Sequence, residues 1–269
     1  MREPKRPSRR VGDLRARRIG DLRTRYTAAD LCALSAAEAR RFLGSGLGDP
    51  QIDVSLAWEL LYRLEPELYD RLATAERLHR AVIRWLPSDV DRVVDVGAGT
   101  GRLTLELLGH AREIVAVEPA EPLRQILSGK LERAERGDHV RVTAGFFDDL
   151  PLPDNWSDVV VACSAFTPDP GRGGEAGLAE MERICRPGGR VAIVWPNNVS
   201  WLEDRGYRYL SFAGEMFVEF ASPEDAAELA EIFYPDAAAE IRRRGPRRVS
   251  FDLLGVNPPR DVAFKVIAG

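Results

Sequence analysis

The glycines that follow the Val-rich run Arg92–Val96 have the spacing that most clearly indicates chemistry. Gly97, Gly99 and Gly101 alternate in the loop, and glycine lets the main chain approach a ligand that a Cβ would repel. A dinucleotide-binding loop would place glycine or alanine where this chain has Arg102, and the Gly-Lys-Ser/Thr of a phosphate-binding loop is missing. The loop therefore indicates a nucleoside-like ligand whose binding does not require a phosphate.

Glu118 is the second candidate binding group. It follows the run Ile114–Val117 and precedes Pro119, 17 residues after Gly101. A carboxylate at the end of the neighbouring strand can accept hydrogen bonds from both ribose hydroxyls. Ligands of open α/β sheets bind outside the carboxyl ends of the strands, so the glycine loop and Glu118 predict a single site.

A sheet of parallel strands is required to bring these groups together. From about residue 91 short β-branched runs alternate with amphipathic segments, which is typical of strands joined by crossover helices. The strand candidates are Arg92–Val96, Ile114–Val117, His139–Thr143, Asp158–Cys163 and Arg190–Trp195, and the helix candidates are 101–109, 120–135, 174–186 and 223–233. The last strand-like runs, Arg248–Leu254 and Val262–Ile267, are expected to form an antiparallel pair at a sheet edge.

The N-terminal part of the chain predicts helices. Thr27 to Asp30 and Ser35 to Glu38 both have capping-box spacing. Apolar residues then recur at helical spacing up to Pro87. We expect a basic tail at 1–26, a helical cap at 27–87 and the ligand-binding domain at 88–269.

The basic tail differs sharply in charge from the rest of the chain. Residues 1–25 hold ten basic and three acidic side chains, whereas the whole chain has a net charge of −4. Such a segment is usually disordered. It is either an arm that touches RNA or an acidic protein surface, or a solvated leader; the acidic body itself does not favour nucleic acid.

Composition limits the class of protein and its setting. The chain has 269 residues, 45% of them hydrophobic, which is enough for a substantial core. Neither a membrane span nor a secretory signal is indicated. Cys32, Cys163 and Cys185 have neither disulfide nor metal-ligand spacing, so we expect a cytoplasmic protein without a metal site.

The chain resembles the class I S-adenosylmethionine-dependent methyltransferases, most closely the broad type 11 group, over about residues 70–200. The stretches that carry the resemblance are Val93–Gly101, Val115–Pro119, Gly145–Asp158 and Glu182–Val194. It implies an α/β, Rossmann-like fold with a mostly parallel seven-stranded sheet and helices on both faces, to which the N-terminal helical cap is added. It also implies S-adenosyl-L-methionine as the cofactor.

The resemblance, together with the neighbouring residues, implies a set of cofactor-binding positions. They are Asp95, Gly97, Ala98, Gly99, Gly101, Glu118, Pro119, Phe146, Phe147, Asp148, Ala162 and Cys163. The residues of the glycine loop would shape the pocket for the methionine end, and Glu118 would bind the ribose. The main-chain carbonyl near Ala162 or Cys163 would receive the cofactor amino group.

Phe146 is a departure from the family pattern. Many members carry an acid there, directly after the glycine that closes the third strand, and that acid meets the adenine amino group. Asp148 or Asp149 could replace it, or apolar contact and main-chain hydrogen bonds could hold the purine. Phe146 and Phe147 either supply a flat surface for the purine or pack in the core.

The sequence identifies no catalytic residue. Among the three histidines only His79 is a candidate general base, because the other two are expected away from the carboxyl ends of the strands. Acceptor-side candidates lie in two loops, Ser164–Asp169 and Trp195–Asn198. The Pro- and Gly-rich run 168–174 is either a lid or a surface insertion.

The function expected is methyl transfer from S-adenosylmethionine to a small organic molecule by in-line displacement. The aromatic-rich loops and the acidic body favour such an acceptor over a polyanion. Two alternatives stay open: an RNA methyltransferase that uses the Arg-rich tail, and a non-catalytic cofactor-binding or scaffold protein that keeps the fold.

Overall fold

The strands of the chain form one large sheet and one small ribbon. A computed structural model describes residues 22–43 and 52–269. Its strands are β1 (Val90–Val96), β2 (Ala111–Val117), β3 (Val140–Thr143), β4 (Ser157–Cys163), β5 (Cys185–Val194), β6 (Arg208–Ser211), β7 (Phe217–Glu219), β8 (Arg248–Ser250) and β9 (Asp261–Val266). The large sheet has the order β3-β2-β1-β4-β5-β9-β6, and β7 pairs with β8 apart from it.

Five of the seven strands in the large sheet are parallel. β1 pairs with β2 and β4, β2 with β3, and β4 with β5, all in the parallel sense. β9 runs antiparallel between β5 and β6. The carboxyl ends of β1 to β5 therefore meet at one edge of the sheet, which confirms the Rossmann-like α/β fold that the sequence predicts.

Helices cover both faces of this sheet. They are α1 (Ala36–Leu43), α2 (Val54–Leu64), α3 (Pro66–Ala75), α4 (Arg80–Trp85), α5 (Glu121–Leu131), α6 (Gly174–Ile184), α7 (Val199–Glu203), α8 (Pro223–Phe233), α9 (Pro235–Arg244) and α10 (Phe251–Leu254). Several begin at the caps that the sequence indicates. Ser222 accepts from the Asp225 amide before α8, and Ser35 and Glu38 exchange hydrogen bonds at the start of α1.

The core is continuous between the N-terminal cap and the C-terminal helices. Neighbouring residues of each central strand face opposite layers: Val93 packs under the cap, whereas Val94 packs under the α6 layer. The cap side of the core also contains Leu60 and Leu72 of the N-terminal helices together with Phe233 at the end of α8. The same apolar cluster therefore packs both the cap and the C-terminal helices against the sheet.

The helix expected over 101–109 is reduced to one 3-10 turn, Thr104–Leu107. Gly101 has a φ of +97°, a value that a right-handed helix does not contain. The hydroxyl of Thr104 donates to Asp95 Oδ2 at 2.6 Å, which holds the turn against the end of β1. The connection from β1 to β2 is therefore short and tightly bound to the glycine loop.

The predicted antiparallel pair of the two last runs is wrong. Only residues 248–250 of the first run form a strand, which pairs with β7. Ser250 then accepts from the Leu253 amide and starts α10 instead of continuing the strand. The second run forms β9, whose fully buried Val262 and Ala263 are suited to the interior of the sheet and not to its edge.

The tail predicted for residues 1–26 is ordered at its C-terminal end. Leu22 and Tyr26 are buried, and the Arg25 guanidinium pairs with Glu65 at the junction of α2 and α3, where Arg25 Nε donates to Oε1 at 2.6 Å. Tyr26 donates to the same carboxylate at 2.8 Å. Apolar burial and this ion pair attach the segment to the cap; residues 1–21 lie outside the described part of the chain.

Gly137 provides a test of packing around the sheet. A Cβ at this position would overlap the carbonyl oxygen of Leu131, whereas a Cβ on the exposed Gly109 would meet nothing within 4 Å. We expect Gly137→Ala to lower the free energy of unfolding by about 1–3 kcal/mol, as overpacking does. Gly109→Ala should change it by less than about 0.5 kcal/mol. Urea denaturation of both variants measures the difference, and equal stabilities would contradict the packing described.

Candidate functional site

The glycine loop turns back directly onto the end of β2. The amides of Gly97 and Ala98 both donate to the Val117 carbonyl, at 2.8 and 3.0 Å. Gly97, Gly99 and Gly101 have φ values of +72°, +56° and +97°, in the region that favours glycine. The spacing seen in the sequence therefore reflects three residues that must all adopt left-handed backbone conformations.

Glu118 is bound to this loop through its carboxylate. Oε2 accepts from the Gly99 amide at 2.9 Å and Oε1 from the Ala120 amide at 2.8 Å. Only 5% of the residue is exposed. A carboxylate offers about four acceptor positions, so each oxygen keeps one for a further donor such as a hydroxyl.

Burial changes the acidity of both carboxyl groups at the site. It raises the pKa of Glu118 to about 7, against the opposing effect of the two amide hydrogen bonds. It also raises the pKa of Asp95 to about 6, although Thr104 donates to that carboxylate. Asp95 Oδ1 is buried and has no hydrogen-bond partner, so this group, like Glu118, has acceptor capacity that the protein leaves unused.

Ala162 and Cys163 end β4 beside the glycine loop, since β4 pairs with β1. Burial raises the pKa of the Cys163 thiol to about 12, so the group is uncharged. The next residue, Ser164, has a φ of +54°, as does Trp195 after β5. Left-handed conformations of non-glycine residues cluster at functional sites, and these two lie at adjacent strand ends.

The loop after β3 binds the N-terminal helix α1. The Arg41 guanidinium forms a two-point ion pair with Asp148, with Nη1 donating to Oδ2 at 2.8 Å, and lies 4.1 Å from the ring centre of Phe146. Phe42 meets the same ring edge-on. Asp148 is thus engaged by Arg41, while Asp149 is exposed.

Phe147 faces the interior instead. Its ring would lie 2.9 Å from a Cβ on Gly97 and packs edge-on against Phe166, with ring centres 5.1 Å apart. The absent side chain of Gly97 therefore leaves room for this ring. The two aromatic residues that the sequence treats as a pair thus have different surroundings, one under Arg41 and one in the core.

The cap brings to the site residues that the sequence analysis missed. The Tyr69 ring lies over Gly99, and Tyr62 and Trp58 both pack edge-on against it. The spacing of Trp58 and Tyr62, one helical turn apart on α2, is the signal that could have identified them. These aromatic side chains cover the carboxyl ends of the central strands.

Ion pairs fasten the cap to the loops around the site. Arg172, in the loop after β4, donates to the Ser55 carbonyl at 2.7 Å and lies 3.5 Å from Glu59. Arg102, directly after the glycine loop, donates to the fully buried Glu76 at 2.8 Å. Hydrogen bonds and ion pairs thereby join loops from opposite sides of the site to the same layer, the N-terminal cap.

His79 has a structural role in the described contacts. Its Nδ1 accepts from the Ala81 amide at 3.1 Å and caps α4, and its ring stacks on Phe212. Its other ring nitrogen faces Gly214. The candidate base is therefore enclosed by the cap and the segment 212–214 and does not face the glycine loop.

Three polar side chains of the two acceptor-side loops bond to main-chain groups. Asp169 accepts from the Gly171 amide at 2.8 Å, and Asn198 caps α7 by accepting from the Trp201 amide at 3.0 Å. Asn197 donates to the Phe166 carbonyl. Within residues 22–43 and 52–269 there is also no group of three or more His, Cys, Asp or Glu side chains able to hold a metal ion.

Comparison with known proteins shows which family model part of the chain matches. Residues 93–189, which include the glycine loop, Glu118 and the end of β4, match the family model described as a methyltransferase domain. This stretch of the chain is similar to a methyltransferase domain. A chain of the complex between the Haloferax volcanii Trm112 methyltransferase activator and a methyltransferase has the same fold, with a TM-score of 0.50 and 17% identity over 77% of this chain and 96% of that one.

Curated relatives of the methyltransferase domain are more similar in sequence. An uncharacterized methyltransferase of Mycobacterium tuberculosis is 33% identical over 129 residues, 46% of this chain and 49% of that protein. The chloroplastic 2-methyl-6-phytyl-1,4-hydroquinone methyltransferase 1 of Oryza sativa is 28% identical over 182 residues, 66% of this chain and 48% of that protein. The chain therefore spans about half the length of these curated relatives. In the part of the chain that the structure describes, no helix is long and apolar enough to cross a membrane.

The raised pKa of Glu118 in the methyltransferase domain predicts a pH dependence of stability. The folded protein binds this proton more tightly than the unfolded chain, so the contribution is present below pH 4.5 and is lost as the pH rises to about 7. The free energy of unfolding of the wild type, relative to Glu118→Gln, should therefore fall across this range. Asp95 titrates in both proteins and cancels in the difference. Urea unfolding at several pH values measures it, and parallel curves would contradict the prediction.

Proposed function

We propose that this protein transfers a methyl group from S-adenosylmethionine to a small organic acceptor. The observation that carries the proposal is the hydrogen bond from the Gly99 amide of the glycine loop to the Glu118 carboxylate. It lies at the carboxyl ends of two adjacent parallel strands. A carboxylate there, with free acceptor capacity on both oxygens, suits the two hydroxyls of a ribose. The matched methyltransferase family supports the same cofactor.

The residues around the loop fit the remaining parts of this cofactor. Gly97, Gly99 and Gly101 form a backbone cradle with no side chains of its own. The unpartnered oxygen of Asp95 offers an acceptor beneath it, and the end of β4 at Cys163 borders it. We propose that these residues hold the methionine end, with Ala98 and Pro119 completing the wall of the pocket.

The purine would lie beside the loop after β3. Asp148 is engaged at both oxygens by the Arg41 guanidinium, which makes its carboxylate a weaker acceptor for the adenine amino group. Phe146 under Arg41 instead gives an apolar surface next to main-chain groups. We propose that apolar contact and main-chain hydrogen bonds hold the purine, which is one of the two arrangements that the sequence allows.

The protein's chemical task in this reaction is small. The bound cofactor supplies a methyl group that its sulfonium already activates, so alignment of the acceptor and exclusion of water are what the chain must provide. Tyr69 and its aromatic neighbours cover the strand ends, and Arg172 and Arg102 bond the surrounding loops to the cap. This cover would exclude water and limit the space for the acceptor.

A small organic acceptor is supported by three observations. One relative is named for methylation of 2-methyl-6-phytyl-1,4-hydroquinone, a small organic compound. The cover of the site is aromatic, with Trp58, Tyr62 and Tyr69 at its centre, and aromatic side chains are suited to planar organic molecules. The sequence after residue 25 carries an excess of acidic residues, which does not favour a polyanionic acceptor.

Calorimetry with S-adenosylhomocysteine tests the cofactor. At a pH above the pKa of about 7 that Glu118 has in the folded protein, we expect binding to the wild type that weakens at least tenfold in Glu118→Ala, because the lost hydrogen bonds involve a charged group and are worth roughly 1.5–3 kcal/mol. The matched control is Glu113→Ala, at the opposite end of the same strand, where the side chain is 3.6 Å from Arg92. It should bind like the wild type, and NAD should bind to none of the proteins.

Failure takes distinct forms in this experiment. If folded wild type free of co-purified ligand binds no S-adenosylhomocysteine, the proposed cofactor is wrong. If it binds the cofactor but transfers the labelled methyl group of S-adenosylmethionine to RNA and to none of a panel of hydroquinones and phenols, the small-molecule acceptor is wrong.

A further inference from the structure

The loop between β4 and α6 contains a compact segment, residues 167–173, which we call the flap. The Thr167 amide donates to the Arg172 carbonyl at 3.0 Å, and the Arg172 amide donates to the Asp169 carbonyl at 2.9 Å. The Asp169 side chain accepts from the Gly171 amide at 2.8 Å. Because these hydrogen bonds close the segment on itself, we expect the flap to move as one unit.

Both ends of the flap meet at a buried ring. On the N-terminal side Phe166 is 2% exposed and packs edge-on against Phe147. On the C-terminal side Gly173 and Gly174 have φ values of +110° and +54°, which glycine adopts without strain. A Cβ on Gly173 would lie 2.5 Å from the Phe166 ring. A few residues that can change their backbone angles beside a fixed anchor are what a hinge requires.

The Arg172 side chain fastens the flap to the cap. Its guanidinium donates to the Ser55 carbonyl at 2.7 Å and lies 3.5 Å from the Glu59 carboxylate. Glu59 is itself held in place, because Arg63 donates to it at 2.8 Å. The Arg172 side chain remains 18% exposed, and water can replace its hydrogen bonds at a small net cost. The contact is therefore suited to a fastening that opens and closes.

The fastened flap lies between the cap and the strand ends that form the site. Ala165, just before the flap, has its Cβ 2.9 Å from a Cβ built on Gly97 of the glycine loop. Glu59 lies on α2 three residues before Tyr62, whose ring packs edge-on against Tyr69 over the same loop. The flap thus bridges the two layers that enclose the glycine loop.

We propose that the flap is a lid through which ligands enter and leave the site, and that Arg172 is the latch that holds it closed. A closed lid excludes water from the site, and its opening sets how fast ligands exchange. The Pro- and Gly-rich run would then be a lid and not a surface insertion. This inference rests on the proposed function, because its test uses the product of the proposed cofactor as the ligand.

Stopped-flow fluorescence with S-adenosylhomocysteine measures the association rate constant kon and the dissociation rate constant koff. A lid that must open slows both, so breaking a latch that is closed in the free and the bound protein should raise both. We expect Arg172→Gln to raise kon and koff about five- to tenfold each and to change Kd less than about twofold. Arg172→Lys, which can still donate to Ser55, should give intermediate rates.

The matched control is Arg183→Gln, at the other end of α6 from the flap. The Arg183 guanidinium also donates to a main-chain carbonyl, that of Leu152, at 2.9 Å, and pairs with an acid, Glu180. It does not contact the flap in the described hydrogen bonds and ion pairs, so its loss should leave kon and koff unchanged.

A nitroxide label on Gly171→Cys, in a Cys32→Ser background, measures the flap without a ligand. A Cβ at Gly171 would meet the Asp169 carboxylate at an ordinary contact distance of 3.4 Å, and Cys32 is the exposed cysteine of the three. The electron paramagnetic resonance spectrum should show a restricted label when Arg172 is present and a mobile one when Arg172→Gln is added.

Other results would overturn the inference. Unchanged rates in Arg172→Gln would remove the lid, whatever the label shows. A rise in koff alone, with a matching rise in Kd, would make Arg172 a ligand contact and not a latch. If the wild type binds no S-adenosylhomocysteine, the proposed function fails, but the label still decides about the latch: a spectrum that Arg172→Gln does not change would overturn it.

Discussion

The hydrogen bonds that Glu118 accepts from Gly99 and Ala120 hold the site together. They join the loop after β1 to the turn after β2, two segments that leave the sheet at the same edge. The carboxylate is buried, so its removal would leave two amide donors without partners in a region poor in water. The left-handed backbone of the glycine loop and the position of α5, which begins at Glu121, both depend on this bridge.

A second bridge connects the glycine loop to the cap. Arg102 donates to Glu76 at the end of α3, and Glu76 also accepts from Tyr234 between α8 and α9. A buried ion pair adds little net stability, but removal of one partner leaves an uncompensated charge. The pair therefore specifies how the cap and the C-terminal helices meet over the glycine loop, while the shared apolar cluster supplies the attraction.

Local signals predicted much of the fold and part of the site. The capping serines before α1 and α8 act within one helical turn, and the central strands are continuous apolar runs. The partners of short strands were less predictable. Residues 248–250 and 261–266 both look like edge strands, yet one pairs with β7 and the other lies inside the sheet. Periodicity indicates that a segment is extended, but it does not indicate its neighbour.

The sequence by itself determined the sheet class, the glycine loop and the acid that faces it, because each depends on residue type and on spacing along one stretch of chain. Only the tertiary structure decided what surrounds them. Arg41 meets Asp148 across 107 residues, and the Tyr69 hydroxyl reaches Gly99 from a separate helix. Such contacts arise when apolar faces of distant helices pack on the sheet, and no local pattern records which side chains will then meet.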